Sequence, residues 1–173
     1  MNIIVSGAVH IGKTTVCKKV IDMAQNTGLS CGGIITLKAP GAALSVVDIQ
    51  TGKMATLAIP GDKYGGPLVP RFTFDPAGVD FGMQAIERGS SSDILLIDEI
   101  GIIEMKGEGF IRAFDYVNNK TAKINLLIVR EHLLDYFIPM FFEKPLVYNI
   151  TAQNRDNIAS DIHFIIQEYI ACQ

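Results

Sequence analysis

Residues 3–21 read Ile-Ile-Val-Ser-Gly-Ala-Val-His-Ile-Gly-Lys-Thr-Thr-Val-Cys-Lys-Lys-Val-Ile, and the reading of the chain turns on this stretch. Within it, Gly7-Ala8-Val9-His10-Ile11-Gly12-Lys13-Thr14 fits G-x-x-x-x-G-K-[ST], a loop that cradles phosphates. The motif needs a strand before it and a helix after it. Ile3, Ile4 and Val5 form a short β-branched run, and Thr15 to Ala24 read as a helix with Val16, Val20 and Met23 on one side. Glycines allow the tight turn that lets successive N–H groups point at phosphate oxygens, and the helix start adds unpaired N–H groups and the positive end of its dipole. Lys13 is expected to reach the β- and γ-phosphates, and the Thr14 hydroxyl to ligate Mg²⁺. The bland alternative is a chance glycine-rich turn, which the flanking strand and helix disfavour. Gly7 to Thr15 are therefore predicted to bind a nucleoside triphosphate.

A second stretch supplies the complement. Ile94-Leu95-Leu96-Ile97-Asp98-Glu99 is an apolar strand ending in two carboxylates. A buried strand can hold Asp98 beside the phosphate loop, to support Mg²⁺ directly or through its water shell. Glu99 is then placed to orient or deprotonate an attacking water. Alone, such a strand also fits an ordinary element running into a solvated turn; beside a phosphate loop the functional reading gains weight. Adjacent carboxylates in a kinase more often bind an acceptor, whereas a Glu directly after the magnesium Asp favours water as nucleophile.

The whole chain bounds these readings. A length of 173 residues suggests a single domain over 1–173, enough to bury about 70% of its unfolded surface. Hydrophobic residues make up 49% and mean hydropathy is +0.29, as short strands of a parallel sheet covered on both faces would produce. No apolar run reaches the length of a membrane span, and Met1-Asn2 leads straight into the first strand, so no signal peptide is expected. A net charge of −3 with no basic stripe argues against nucleic acid as a partner. Cys17, Cys31 and Cys172 are odd in number and lack ligand spacing, which suits reduced thiols in a cytoplasmic protein.

The remaining elements follow from period and punctuation. Cys31 to Leu37, Ala43 to Ile49 and Met54 to Ile59 read as strands, the last two joined by a Thr51-Gly52 hairpin turn, and together they suggest a small antiparallel extension. Residues 60–67 read as a loop, either a mobile one near the ligand or a plain connector. Leu68 to Phe74 reads as one short strand carrying Arg71. Asp75-Pro76 should cap and start a helix running to about Arg88, with Val79, Met83 and Ile86 inward. A helix over about Gly109 to Asn118, a strand from Lys123 to Val129, a short helix from Leu133 to Phe142 interrupted by Pro139, and a strand from Leu146 to Ile150 come next. Thr151 is read as the cap of a final helix with Ile158, Ile162, Ile165, Ile166 and Tyr169 on one stripe. Strands alternating with helices predict a doubly wound α/β sheet, mostly parallel, with the nucleotide at its carboxyl edge.

The motifs resemble a small P-loop nucleoside-triphosphatase family that was first described in thermophiles and includes a human cancer-related member. Asp98-Glu99-Ile100-Gly101 followed by Glu104 is similar to its Asp-Glu-Ile-Gly-x-x-Glu signature. Thr151-Ala152-Gln153-Asn154-Arg155 is similar to its Thr-x-x-Asn-Arg motif, and Gly33-Ile34-Ile35-Thr36 and Pro70-Arg71-Phe72 sit where the family has comparable pieces. The resemblance spans nearly the whole chain. It implies Mg²⁺-dependent hydrolysis of nucleoside triphosphates to diphosphates, broad tolerance for the base, and a fold related to RecA-like and AAA+ cores. The chain departs from the pattern at three places. His10 stands where the family usually has Gly, Ile102 replaces a Lys, and Leu37-Lys38-Ala39-Pro40 lacks an acidic residue and an Arg. Turnover rate and nucleotide preference are the properties these departures touch.

Single residues carry open alternatives. His10 either turns outward while its backbone N–H binds phosphate, or contacts the γ-phosphate or water and makes activity sensitive to pH near about 6 to 7. An arginine usually completes the transition-state charge, and five are present: Arg71, Arg88, Arg112, Arg130 and Arg155. Arg130, at the end of the strand after the second motif, is the catalytic candidate beside Lys13 and Glu99, against an ordinary strand-end salt bridge. Arg155 is a nucleotide-binding candidate and Arg71 a further one; Arg88 and Arg112 read as solvated. Glu104 is either a contact to Lys or to Mg²⁺-bound water, or a surface carboxylate. His132 and His163 read as structural. Three functions fit these residues: a nucleoside triphosphatase, a nucleotide or nucleoside kinase, and a nucleotide-dependent switch with little intrinsic turnover.

Overall fold

The computed structural model describes residues 1–61, 68–69, 72–119 and 121–172. Among them, the strands are β1 (Asn2–Gly7), β2 (Cys31–Lys38), β3 (Leu44–Asp48), β4 (Met54–Ile59), β5 (Leu68–Val69), β6 (Phe72–Phe74), β7 (Ile94–Ile100), β8 (Ile124–Val129) and β9 (Leu146–Ile150). The α-helices are α1 (Lys13–Asn26), α2 (Pro76–Gly89), α3 (Ile102–Met105), α4 (Ala113–Asn118), α5 (Leu134–Phe137) and α6 (Ile158–Ala171). One sheet runs β5-β6-β4-β3-β2-β7-β8-β1-β9. From β2 to β9 neighbouring strands are parallel, and from β2 to β5 they are antiparallel. The expected parallel core with an antiparallel extension is what forms.

The central strands are apolar on both sides because helices cover both faces. Every residue of β1 and β8 is buried. Ile3, Val5, Leu96 and Ile128 pack with Val16, Val20, Ile158, Ile162 and Ile166 of α1 and α6 on one face. Ile4, Ile97, Leu127 and Val129 pack with Ile86, Phe114 and Phe137 on the other. Burying one such Ile or Phe side chain stabilises the fold by roughly 1.5–3 kcal/mol.

Helix α2 begins as expected: Asp75 accepts from the Ala77 amide and Pro76 opens the first turn. Its innermost face differs from the expected stripe. Gly78, Gly82, Ala85, Ile86 and Gly89 are buried, while Val79 and Met83 are only half-buried. A Cβ on Gly78 would come within 1.9 Å of the Thr56 carbonyl oxygen, and one on Gly89 within 2.3 Å of the Gly33 amide nitrogen. The helix thus rests its backbone directly on β2 and β4. Hydrophobic periodicity finds large side chains, and this contact has none.

Three other expectations change, and one falls outside the described residues. The run 68–74 is two short antiparallel strands rather than one. Residues 62–67 of the expected loop, together with Pro70 and Arg71, lie outside the described residues. The final helix starts at Ile158, because Thr151 and Asn154 close a turn of their own: the Thr151 amide donates to Asn154 Oδ1 at 2.8 Å and the Asn154 amide to Thr151 Oγ1 at 3.3 Å. Arg88 donates to the fully buried Asp48 at 3.0 Å and so is not merely solvated. Burial alone would raise the Asp48 pKa, but the Thr51 hydroxyl, Arg88 and the Gln50 amide outweigh it and hold the carboxyl below its ordinary value.

Asp93, just before β7, ties β7 to β2 and β8. It accepts from the Ser30 hydroxyl at 2.7 Å and the Ser30 amide at 2.9 Å, and pairs with Lys123 at 2.7 Å. Lys123 first, then Ser30, lower its pKa to about 2. A folded value below the unfolded one gives stability that is complete above about pH 4 and is lost as pH falls toward 2. The urea midpoint of Asp93→Asn is expected to fall below that of the parent protein at pH 6, with the gap closing by pH 2.5. A gap independent of pH would contradict this account.

Candidate active site

Three consecutive parallel strands deliver the site. β1 ends at Gly7 and opens the phosphate loop, β8 ends at Val129 and leads to Arg130, and β7 carries Asp98 and Glu99. β8 lies between the other two, so Arg130 emerges between the loop and the carboxylate pair.

The loop is shaped by its backbone. Gly7 has φ 138° and Gly12 φ 109°, both in the region that favours glycine, and a Cβ on Gly7 would lie 2.6 Å from the Ile150 carbonyl oxygen. Lys13 is buried, and its Nζ donates to the Gly7 and Ala8 carbonyl oxygens at 3.0 and 2.9 Å. Val9 and His10 are exposed. His10 adopts φ 64°, a left-handed conformation that histidine tolerates but glycine takes at less cost. His10→Gly is expected to raise stability by up to about 1 kcal/mol in urea unfolding, the relieved strain being partly offset by a more flexible unfolded chain. His10→Val, with a β-branched side chain, is expected to lower it.

Asp98 is 1% exposed. It accepts hydrogen bonds from the Thr14 hydroxyl and, at 3.4 Å, from the Thr36 amide. The Thr36 hydroxyl donates to the Asp98 main-chain oxygen. Burial first, with the charge of Glu99 adding to it, raises the Asp98 pKa to about 7 against the opposition of Thr14, Thr36 and Lys13. Glu99 is half-buried and pairs with the Arg130 Nε. The set of a hydroxyl and a buried carboxylate, both hard oxygen donors, fits Mg²⁺, which is commonly held by one or two carboxylates plus phosphates and water.

Other expected residues fall elsewhere. Arg155 follows Ile150, which pairs with Gly7, but its guanidinium is exposed and lies 4.0 Å from Asp156. Glu104 is neither a surface group nor on Lys13: it is 2% exposed and accepts from the Gly101 and Phe110 amides at 2.7 and 2.9 Å. Arg112 and His132 are exposed and His163 is buried on α6. Two neighbours escaped the sequence reading of the site. Thr36 joins it only through the pairing of β2 with β7, for which the Gly33-to-Thr36 stretch was the available signal. Asn149 stands opposite Ser6 and donates to Glu131 at 3.4 Å.

A phosphate loop at the end of a buried parallel strand, with an Asp-Glu pair two strands away, defines a P-loop α/β nucleoside-triphosphatase fold. A family model described as NTPase matches residues 2–163, and the chain belongs to this nucleoside-triphosphatase family. The nucleoside-triphosphatase THEP1 of Pyrococcus abyssi is 32% identical over 98% of this chain and 94% of its own. That of Archaeoglobus fulgidus is 29% identical over 96% and 99%. Among solved structures, a human cancer-related nucleoside triphosphatase superposes with TM-score 0.78 at 20% identity, covering 96% of this chain and 97% of that one. THEP1 from Aquifex aeolicus superposes with TM-score 0.74 at 19% identity, covering 96% and 99%. These two likenesses establish the fold.

Proposed function

We propose that the chain hydrolyses nucleoside 5′-triphosphates to diphosphate and phosphate, with Mg²⁺ and broad tolerance for the base. The observation that carries this reading is the half-exposed Glu99, beside the buried Asp98 and paired with Arg130. The amides of Gly7 to Thr15 and Lys13 would hold the β- and γ-phosphate oxygens, and Thr14 and Asp98 would hold Mg²⁺. When bound, the ion neutralises charge on those oxygens. Glu99 takes a proton from water as the water oxygen bonds to the γ-phosphorus, and the bond from that phosphorus to the β–γ bridging oxygen breaks. Arg130, held by Glu99, offsets charge on the transferring group. Arg155, on the turn after Ile150, would contact the nucleotide from the far side of Gly7. Among the described residues no helix is long and apolar enough to cross a membrane. The free thiols of Cys17, Cys31 and Cys172 suit a reducing cytoplasm, and the acidic balance suits a nucleotide rather than nucleic acid as partner.

Anion-exchange product analysis tests the reading. With Mg²⁺ and ATP, GTP, CTP or UTP, diphosphate and free phosphate are expected, unchanged by added nucleosides or monophosphates. Phosphate found only on an added acceptor would make the protein a kinase. Tight binding with neither product would make it a switch.

A further inference from the structure

Glu104 sits at the start of a ten-residue excursion that leaves β7 at Gly101 and returns to the core at Phe110. One carboxylate closes both ends of it: Oε2 accepts from the Gly101 amide at 2.7 Å and Oε1 from the Phe110 amide at 2.9 Å. Phe110 is itself 2% exposed and lies over Gly82, where a Cβ would be 2.5 Å from its ring. The far end of the clasp is therefore anchored on α2. The near end touches the reactive pair. A point one bond out from the Gly101 Cα is 3.8 Å from Glu104 Oε2, 3.9 Å from Glu99 Oε1 and 3.7 Å from Arg130 Nε.

A buried carboxylate is costly unless its oxygens are hydrogen-bonded, and here each oxygen has a backbone amide. Two convergent amides explain the choice of residue. A carboxylate presents an acceptor to each, whereas an amide side chain presents one acceptor and turns an N–H₂ against the other donor. The clasp thereby fixes the Gly101 amide, two residues beyond Glu99, and with it the backbone that aims Glu99 at Arg130. We infer that Glu104 is a positioning residue for the Glu99–Arg130 pair: it sets the geometry of proton abstraction without touching the nucleotide. This inference rests on the hydrolase reading above.

The test compares four single variants and one double. Glu104→Gln is expected to lower kcat about ten- to a hundredfold, the scale of a misplacement near 1 Å, with the Kd for a fluorescent nucleotide analogue within about twofold of the parent. Gly109→Ala keeps the charge but places a Cβ 2.4 Å from Glu104 Oε1, so it displaces the carboxylate and is expected to act in the same direction even if Glu104→Gln folds poorly. Phe114→Leu loosens the same core cluster beyond the clasp, leaving Phe110, both amides and the carboxylate in place. It is expected to lower Tm yet keep kcat within about threefold. Glu99→Gln, alone and with Glu104→Gln, completes a cycle in which the two effects are strongly non-additive. Losses of kcat that track Tm across Glu104→Gln and Phe114→Leu, or additive effects in the cycle, would overturn the proposal alone. Unchanged turnover in Glu99→Gln would overturn the hydrolase reading beneath it.

Discussion

Glu99→Gln is expected to reduce phosphate release by roughly 10²- to 10⁴-fold, the usual contribution of a positioned general base. The Kd for the triphosphate should stay within about twofold. The substitution keeps the shape of the side chain and an oxygen to accept from Arg130, but removes the ability to take a proton. Glu99 is suited to this because it is half-exposed and open to water, while Asp98 beside it is sealed against Thr14 and Thr36. Single-turnover phosphate release and nucleotide titration, run on the same preparation, separate chemistry from binding. Parent-like turnover would remove Glu99 from the reaction.

Asp98→Asn should produce two effects of opposite sign. Without metal or nucleotide, at pH 8, the variant should be more stable than the parent, by up to about 4 kcal/mol. Asp98 has its pKa raised to about 7, and each unit above the ordinary value is about 1.4 kcal/mol held against the ionised form. The sign follows from linkage. A folded pKa above the unfolded one confers stability that is complete below the unfolded value and lost as pH rises through the folded value. The parent protein should therefore weaken between about pH 4 and pH 8, while the variant should not. The gap between them should be smallest at pH 4 and widest at pH 8. Magnesium-dependent turnover should fall by about 10²-fold or more, since a buried oxygen anion beside Thr14 is lost. Chemical denaturation in EDTA at several pH values measures the first effect, and phosphate release at saturating Mg²⁺ measures the second. A destabilised variant at pH 8 would show that Asp98 is satisfied as an anion without a cation.

On the reading proposed above, the cost of burying Asp98 is accepted for a site that a cation completes. Asp48 shows the contrast. It is as deeply buried, yet the Thr51 hydroxyl, Arg88 and the Gln50 amide meet its charge locally, and its pKa is lowered rather than raised. Glu104 stands between the two, with burial raising its pKa and backbone amides opposing. Burial alone does not decide the direction of the shift; the partners of the buried acid do.

Much of the candidate site is legible in local chemistry. The spacing of Gly7, Gly12, Lys13 and Thr14 carries its meaning within one loop, since backbone turning and the helix start are short-range effects. The apolar run before Asp98-Glu99 marked a buried strand because parallel strands covered on both faces leave no room for polar alternation. The hairpin at Thr51-Gly52 and the Asp75-Pro76 helix start follow from turn and cap chemistry for the same reason. Where local rules compete, they misled. Thr151 looked like a helix cap, but its partner Asn154 closes a separate turn and postpones the helix to Ile158. Val79 and Met83 looked like the inner face of α2, but the closest approach to the sheet falls on glycines, which carry no hydrophobic signal.

By itself, then, the amino-acid order determined the parallel α/β sheet, the phosphate loop, the acidic strand and the family to which the chain belongs, since each is written in contiguous residues. Strand order was decided only in three dimensions. The placement of β8 between β1 and β7 brings Arg130 to Glu99, and the pairing of β2 with β7 brings Thr36 to Asp98. The same packing turned Glu104 from a residue after a turn into a buried clasp. Each of these contacts joins residues whose proximity depends on the sheet as a whole, and local propensity carries no information about it.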